Sequence, residues 1–370
     1  MAKRATAKEV ADRAGVSRTT VSFVLNNVAG MRISDETRQA VLQAALALDY
    51  HPDATARRMV SGRTKMLGFV LNQNLDQALA DQFLPQVLTG FSQAAAAQGY
   101  KVLFETIPPE TDDTAYAQLV RERHVDGFAL SGPRLDDAAR LAAQVQNAPV
   151  VLLGQLPGST RPFVDVDNRG GAALATQHLL ELGHRRIGLI TNAQPAYTAS
   201  ADRLAGYRKA LEAAGLPFNA ELVRYGNFTP QSGMQAMAEL ASLKPAPTAV
   251  FVASDTVALG ALQCLRRLHM RVPRDIALVG FDDIPLVEFI DPPLTTVRLP
   301  AYGLGWGAGE LLTRLIGGDS VENPRIFLET ELIVRESCGA NAAPNGTKDD
   351  ADSELRDVGN RANWPAQTVS

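Results

Sequence analysis

The stretch GVSRTTVSFVLNN, Gly15 to Asn27, carries side chains able to read a nucleic acid. On a helix from Arg18 to about Leu25, at 100° per residue, Val21, Val24 and Leu25 share an apolar side, with Thr20 at its edge. Arg18, Thr19, Ser22, Phe23 and Asn26 share the other. Arg18 can pair with guanine O6 and N7, and Thr19 can reach a base or a phosphate. Phe23 makes no hydrogen bond to a base edge but can touch a thymine methyl; its alternative is packing against the apolar loop NNVAGMRIS. Ser17 and Ser34, placed as helix caps, would leave backbone N–H groups for phosphates.

Three short helices would position these groups. Thr6-Ala-Lys-Glu9 reads as a capping box that opens the first. Gly15 can take the left-handed geometry of a sharp turn, Ala11 suits a close helix crossing, and Val21 anchors the second helix on the first. This spacing predicts a helix-turn-helix, whose second helix meets base edges through its N-terminal part. The third helix follows Ser34, with Val41, Leu42, Ala45 and Leu48 at helical spacing, and stops before Pro52. Charge agrees with a polyanion partner for this head. Residues 1–65 hold 11 Lys and Arg against 6 Asp and Glu, whereas the remainder holds 25 against 34.

Residues 53–65, DATARRMVSGRTK, are polar and basic, too short and too polar to hold a helix alone in water. From Met66 the pattern changes to short apolar runs: 66–71, 101–105, 126–131, 149–154, 186–191, 249–254 and 276–281. Ala-rich helical stretches lie between many of them, which predicts βαβ units and parallel sheets. The length suggests two α/β lobes, and the late runs 295–298 and 326–334 can carry the chain back across both. The reading is an all-α head (1–52), a hinge or linker (53–65), an α/β core (66–339) and a disordered tail (340–370).

Other classes are disfavoured. Two cysteines, Cys264 and Cys338, give no disulfide framework, and five scattered histidines form no metal site. No Ser or Cys has a convincing His and acid partnership, so the expectation is no catalytic residue, no metal and no cofactor. GLGWGA (303–308) imitates a dinucleotide fingerprint but lacks the βαβ setting. No run of apolar residues is long enough to span a membrane. No signal core opens the chain, so the sequons at Asn227 and Asn345 carry no weight, and a cytoplasmic location is expected.

With these residues in place, the chain resembles the LacI/GalR family of transcription factors. TAKEVADRAGVSRTTVSFVLNN resembles the family's N-terminal signature, and ISDETRQAVLQAALALDYHPDATARRMVSGRTKMLGFVL its third helix, hinge and first core strand. The likeness continues through VDGFAL, FVDVDNRGG, LLELGHRRIGLI, DRLAGYRKAL, PTAVFVASDTVALGAL, VPRDIALVGFDD and DPPLTTVR, covering roughly residues 5–338. It implies a two-lobed core like a type I periplasmic sugar-binding protein, a homodimer, and a near-palindromic double-stranded DNA operator. A small molecule between the lobes would control operator affinity, which implies a sugar-responsive repressor; a purine or other non-sugar effector, or an activator role, is the alternative. Ala56 and Met59 would share one face of a hinge helix, with Met59 wedged into the minor groove. Asn72, Phe83, Arg203, Phe228, Asp255 and Asp282 are the effector-binding candidates. An Arg, carboxylates and a ring suit a sugar. Two departures bear on the ligand. Gly154 and Gln155 stand where family members carry a cleft aspartate, and QNLDQALADQF replaces the usual loop after the first strand. ELRDVGNRANW carries no leucine heptad, so a dimer is expected rather than a tetramer.

Overall fold

The computed structural model describes residues 5–25, 31–50, 63–111, 114–145, 148–319, 321 and 325–340. The head consists of α1 (Ala7–Ala14), α2 (Arg18–Leu25) and α3 (Asp35–Ala47). Thr6 Oγ1 accepts the Glu9 N–H while the Glu9 carboxylate accepts the Thr6 N–H, so the reciprocal cap forms. Gly15 ends α1 at φ 67°. Ser17 and Ser34 then cap α2 and α3, accepting from the N–H groups of Thr20 and Thr37. Val10, Ala11, Val21, Val24, Val41, Ala44 and Ala45 form the head's own core. Leu42, predicted on the apolar stripe, is 43% exposed, and Ala44 is buried instead. The helical stripe in α3 is therefore narrower than the spacing suggested, and the small alanines let α1 approach.

The core begins with β1 (Met66–Leu71), α4 (Leu75–Ala80), α5 (Leu84–Ala97), β2 (Lys101–Thr106), α6 (Ala115–Arg121), β3 (Gly127–Ser131), α7 (Asp137–Gln144), β4 (Val150–Leu153) and β5 (Phe163–Val166). It continues with α8 (Asn168–Glu181), β6 (Ile187–Thr191), α9 (Thr198–Ala213), β7 (Val223–Tyr225), α10 (Pro230–Ala241), β8 (Ala249–Val252), α11 (Asp255–Arg267), β9 (Ala277–Asp282) and β10 (Thr296–Arg298). The last elements are α12 (Ala301–Gly317), β11 (Arg325–Leu328) and β12 (Glu331–Ile333).

Two six-stranded sheets result, ordered β11-β5-β4-β3-β1-β2 and β12-β10-β9-β8-β6-β7. Each is parallel except for β12, which runs antiparallel to β10. The predicted runs all become strands; β5 and β7 are additional. The late apolar stretch splits as its position suggested, β11 joining the first sheet and β12 the second. The chain thus crosses between lobes at 166–168, 298–301 and 328–331. In such open sheets a ligand sits outside the carboxyl ends of the strands, where the two lobes face each other.

The GLGWGA segment lies inside α12, not at a strand-to-helix turn. Its glycines serve packing: α12 crosses α5 so closely that a Cβ on Gly305 would sit 1.9 Å from the Val87 carbonyl oxygen. Gly305→Ala should therefore cost about 1–3 kcal/mol by forcing backbone apart. Chemical denaturation of the variant measures this; an unchanged midpoint would mean that the helices can separate freely.

Candidate functional site: the cleft and the helix-turn-helix face

The lobes meet around a cavity at the carboxyl ends of β1, β3 and β4 on one side and β6, β8 and β9 on the other. Its one cationic lining group among the described residues is Arg203, on α9 and 7% exposed. The Arg203 Nε donates to Asn168 Oδ1 at 2.9 Å and Nη1 to the Ala253 carbonyl at 2.7 Å. The guanidinium lies 4.0 Å from the centre of the Phe281 ring. Asp282 Oδ1 is 3.7 Å from Nη1, close enough for attraction but long for a hydrogen bond.

Of the residues predicted for the cleft, Phe83, Arg203, Phe228 and Asp282 line this cavity. Asn72 and Asp255 do not, and both have structural partners. The Asn72 side-chain amide nitrogen donates to Asp137 at 2.7 Å, and the Asn72 backbone carbonyl accepts from the Tyr197 hydroxyl. Asp255 accepts the Phe281 and Ile284 N–H groups and the Thr296 hydroxyl, so its carboxylate pins the turn after β9 and stands outside the cavity lining. That turn carries Asp282 at φ 123° and Asp283 at φ 58°, conformations that cost energy outside glycine and persist where the surroundings enforce them. Phe228 is also left-handed at φ 59°, with its ring edge-on to Tyr197 at 5.0 Å.

Two lining carboxylates had escaped the sequence reading. Asp165, in the middle of β5, accepts from Gln155 Nε2 and from the Val166 and Asn168 nitrogens. Gly154, at φ 115°, has Pro133 carbons 2.8 Å from where a Cβ would stand, so no side chain fits there, and the aspartate comes from the neighbouring strand instead. Its signal was legible: an Asp inside the apolar run FVDV. Asp81 closes α4, the helix formed by the unusual segment after β1, and accepts the Phe83 N–H. That segment also reaches the other lobe. Gln77 donates to the side chain of Asn227, and the Gln82 N–H donates to Thr256 Oγ1. Further cross-lobe bonds join Leu135 and Thr198 to Ala196 and Pro133.

Electrostatics follow from burial. Loss of water pushes the carboxyls of Asp81 and Asp165 up to about 6, against backbone and side-chain donors and Arg203. Asp282 is raised well above the usual range, again by burial first, with Arg203 opposing. Arg203 itself is lowered by burial, and Asp282, Asp165, Asp81 and Asp255 oppose that.

On the head, Ser17, Arg18 and Thr19 are exposed at the start of α2, while Thr20, Ser22 and Phe23 are half-buried. The Thr20 hydroxyl lies 2.9 Å from Ser17 Oγ, which ties both to the cap. Thr6, likewise, is held in its cap. Phe23 does not join the head's core cluster. Asn26, Ala56 and Met59, with residues 53–62 of the hinge and 341–370 of the tail, lie outside the described residues. Among the described residues, no helix is long and apolar enough to cross a membrane, and no three His, Cys, Asp or Glu side chains form a metal site.

A helix-turn-helix head on a two-lobed sugar-binding-protein-like core defines a ligand-responsive DNA-binding protein. Comparison with known proteins agrees. The model of the "Bacterial regulatory proteins, lacI family" matches residues 6–53, and that of the "Periplasmic binding protein-like domain" matches 176–338. The chain is 38% identical over 338 residues to the HTH-type transcriptional regulator CelR of Thermobifida fusca, covering 90% of this chain and 98% of that one. A solved CelR–cellobiose complex is 37% identical, with a TM-score of 0.69, over 90% of this chain and 100% of that one. The lac repressor dimer bound to operator and the anti-inducer ONPF is 27% identical, with a TM-score of 0.79, over 91% and 99%. The chain belongs to the LacI family of DNA-binding transcriptional regulators.

The raised carboxyls make a stability signature. An acid whose pKa is raised on folding contributes stability that is full below about 4 and is lost as pH rises through about 6. These groups therefore favour the folded core at pH 5 over pH 7.5. Asp81→Asn should remove its share and narrow the difference in Tm between the two pH values by about 2 °C. Calorimetry at both pH values checks this; an unaltered gap would mean that the Asp81 carboxyl keeps its water.

Proposed function

We propose that the protein is a cytoplasmic, homodimeric repressor that binds a near-palindromic operator and is controlled by a sugar in the cleft. The observation that carries this reading is the shared ownership of the cavity. Asp81, Phe83 and Asp165 come from one lobe, and Arg203, Phe228 and Asp282 from the other. A ligand held by both sets favours one spacing of the lobes, and linkage then transmits that preference to the operator. The two rings can cover the apolar faces of a sugar while the charged groups take its hydroxyls. CelR, seen with cellobiose, and the lac repressor, seen as a dimer on operator, support the ligand class and the assembly.

On the head, Arg18 and Thr19 read bases while the N-termini of α1, α2 and α3, capped by Thr6, Ser17 and Ser34, face phosphates. Thr20, Ser22 and Asn26 complete the groove-facing polar set. Ala56 and Met59 enter the minor groove between half-sites. Affinity for a palindrome, measured by fluorescence anisotropy across a salt series, tests the whole reading: log K should fall linearly with log salt. A flat salt dependence on every duplex would overturn it.

Two variants separate the halves. Met59→Ala should weaken operator binding at least tenfold and leave sugar binding within twofold. Phe228→Ala should do the reverse. Titrations of each variant with both ligands read the split, and parallel losses would show a folding defect instead. Phe23→Arg should shift the preferred base at one symmetric pair of operator positions. Selection of bound sequences from a random pool reads this, and an identical consensus would move Phe23 into the adjoining loop.

A further inference from the structure

The charged groups of the cavity are mostly acceptors. Its charged lining is three carboxylates, Asp81, Asp165 and Asp282, against one guanidinium. Arg203 already spends Nε on Asn168 and Nη1 on the Ala253 carbonyl. Asp165 is satisfied by three donors, but Asp81 and Asp282 are not so well served. Asp81 accepts from the backbone N–H groups of Phe83, at 2.9 Å, and Leu84, and among the described residues Asp282 has a long 3.3 Å bond from the Asp255 N–H besides its distant arginine. Two further acceptors line the same space. Gln73, 2% exposed, and Asn192, 6% exposed, each bury a side-chain carbonyl oxygen that has no hydrogen-bond partner among the described residues. A buried acceptor left unmade is costly, so the cavity is built for something that donates.

A neutral sugar brings hydroxyls, each with one donor and two acceptor sites, and it leaves the charge uncompensated. A metal ion is not the answer, since no set of three carboxylate or imidazole ligands converges among the described residues. An ammonium group fits both needs, with three donors, no acceptor and a positive charge. We propose that the effector is an amino sugar with a free, protonated amine, set between Asp81 of one lobe and Asp282 of the other, near the Gln73 and Asn192 oxygens. This rests on the sugar reading above and narrows it. Because Asp81 and Gln73 belong to one lobe and Asp282 and Asn192 to the other, the amine ties the lobes together through charge-assisted bonds.

Calorimetric titration of the full chain with matched pairs tests this: glucose with glucosamine, galactose with galactosamine, and cellobiose with its fully deacetylated diamino counterpart. The amine member of at least one pair should bind ten to a hundredfold more tightly than its neutral partner, and N-acetylation should abolish the gain. Asp81→Asn should cut amine affinity at least tenfold more than it cuts that of any neutral partner that binds, with operator affinity as the control for folding. Neutral sugars binding as well as their amines would overturn the amine proposal and leave the sugar reading standing. No binding by any member of the pairs, together with binding of a nucleoside, would overturn both.

Discussion

Among the described residues that line the cleft, the Arg203 guanidinium is the one positive charge beside carboxylates that have lost their water. It grips Asn168 at the start of α8 and the Ala253 carbonyl beyond β8, and it covers the Phe281 ring. Four aspartates feel its field. Without it, Asp165, Asp255 and Asp282 would face one another in a low dielectric, which folded proteins avoid by protonation or by opening. The left-handed turn at Asp282 and Asp283 is held by Asp255, which is tolerable in that place because Arg203 is near. Site and joint are one electrostatic unit.

Much of the architecture was legible because buried parallel strands are short apolar runs between helical stretches. MLGFVL, RIGLIT and IALVGF each became a strand within a residue or two of the expected limits. VRY of β7 escaped because three residues at a sheet edge leave no pattern. FVDV escaped as a strand because a carboxylate stands in its middle, and the same residue is a cleft group; one local irregularity hid both facts. In the head, spacing alone located the caps and the turn, since those depend on contacts three residues apart. Leu42 was misread because a helix of thirteen residues offers more apolar positions than a small core can cover.

The cleft was less legible than the fold. Arg203, Asp282, Phe83 and Phe228 could be placed by likeness, but Asn72 and Asp255 show its limit: a polar residue at the end of a strand can serve the ligand or the neighbouring backbone. Sequence does not say which, because the choice is made by residues far away, Asp137 for Asn72 and Thr296 for Asp255. Asp81 illustrates the converse. It sits in a segment with no usual counterpart, and only the fold of α4, which it ends, brings it into the cavity lining.

The threading of the last strands has a consequence for how the molecule is made. The first sheet gains its edge strand β11, and its covering helix α12, only after all of the second sheet but its edge strand β12 has been synthesised. β11 pairs with β5 across more than 150 residues of chain. On a ribosome the first lobe therefore waits, incomplete, with the faces of α5 and β5 uncovered, while the head, whose core lies within 10–45, can finish on its own. A nascent chain would carry a folded DNA-reading module long before it carries anything able to regulate it.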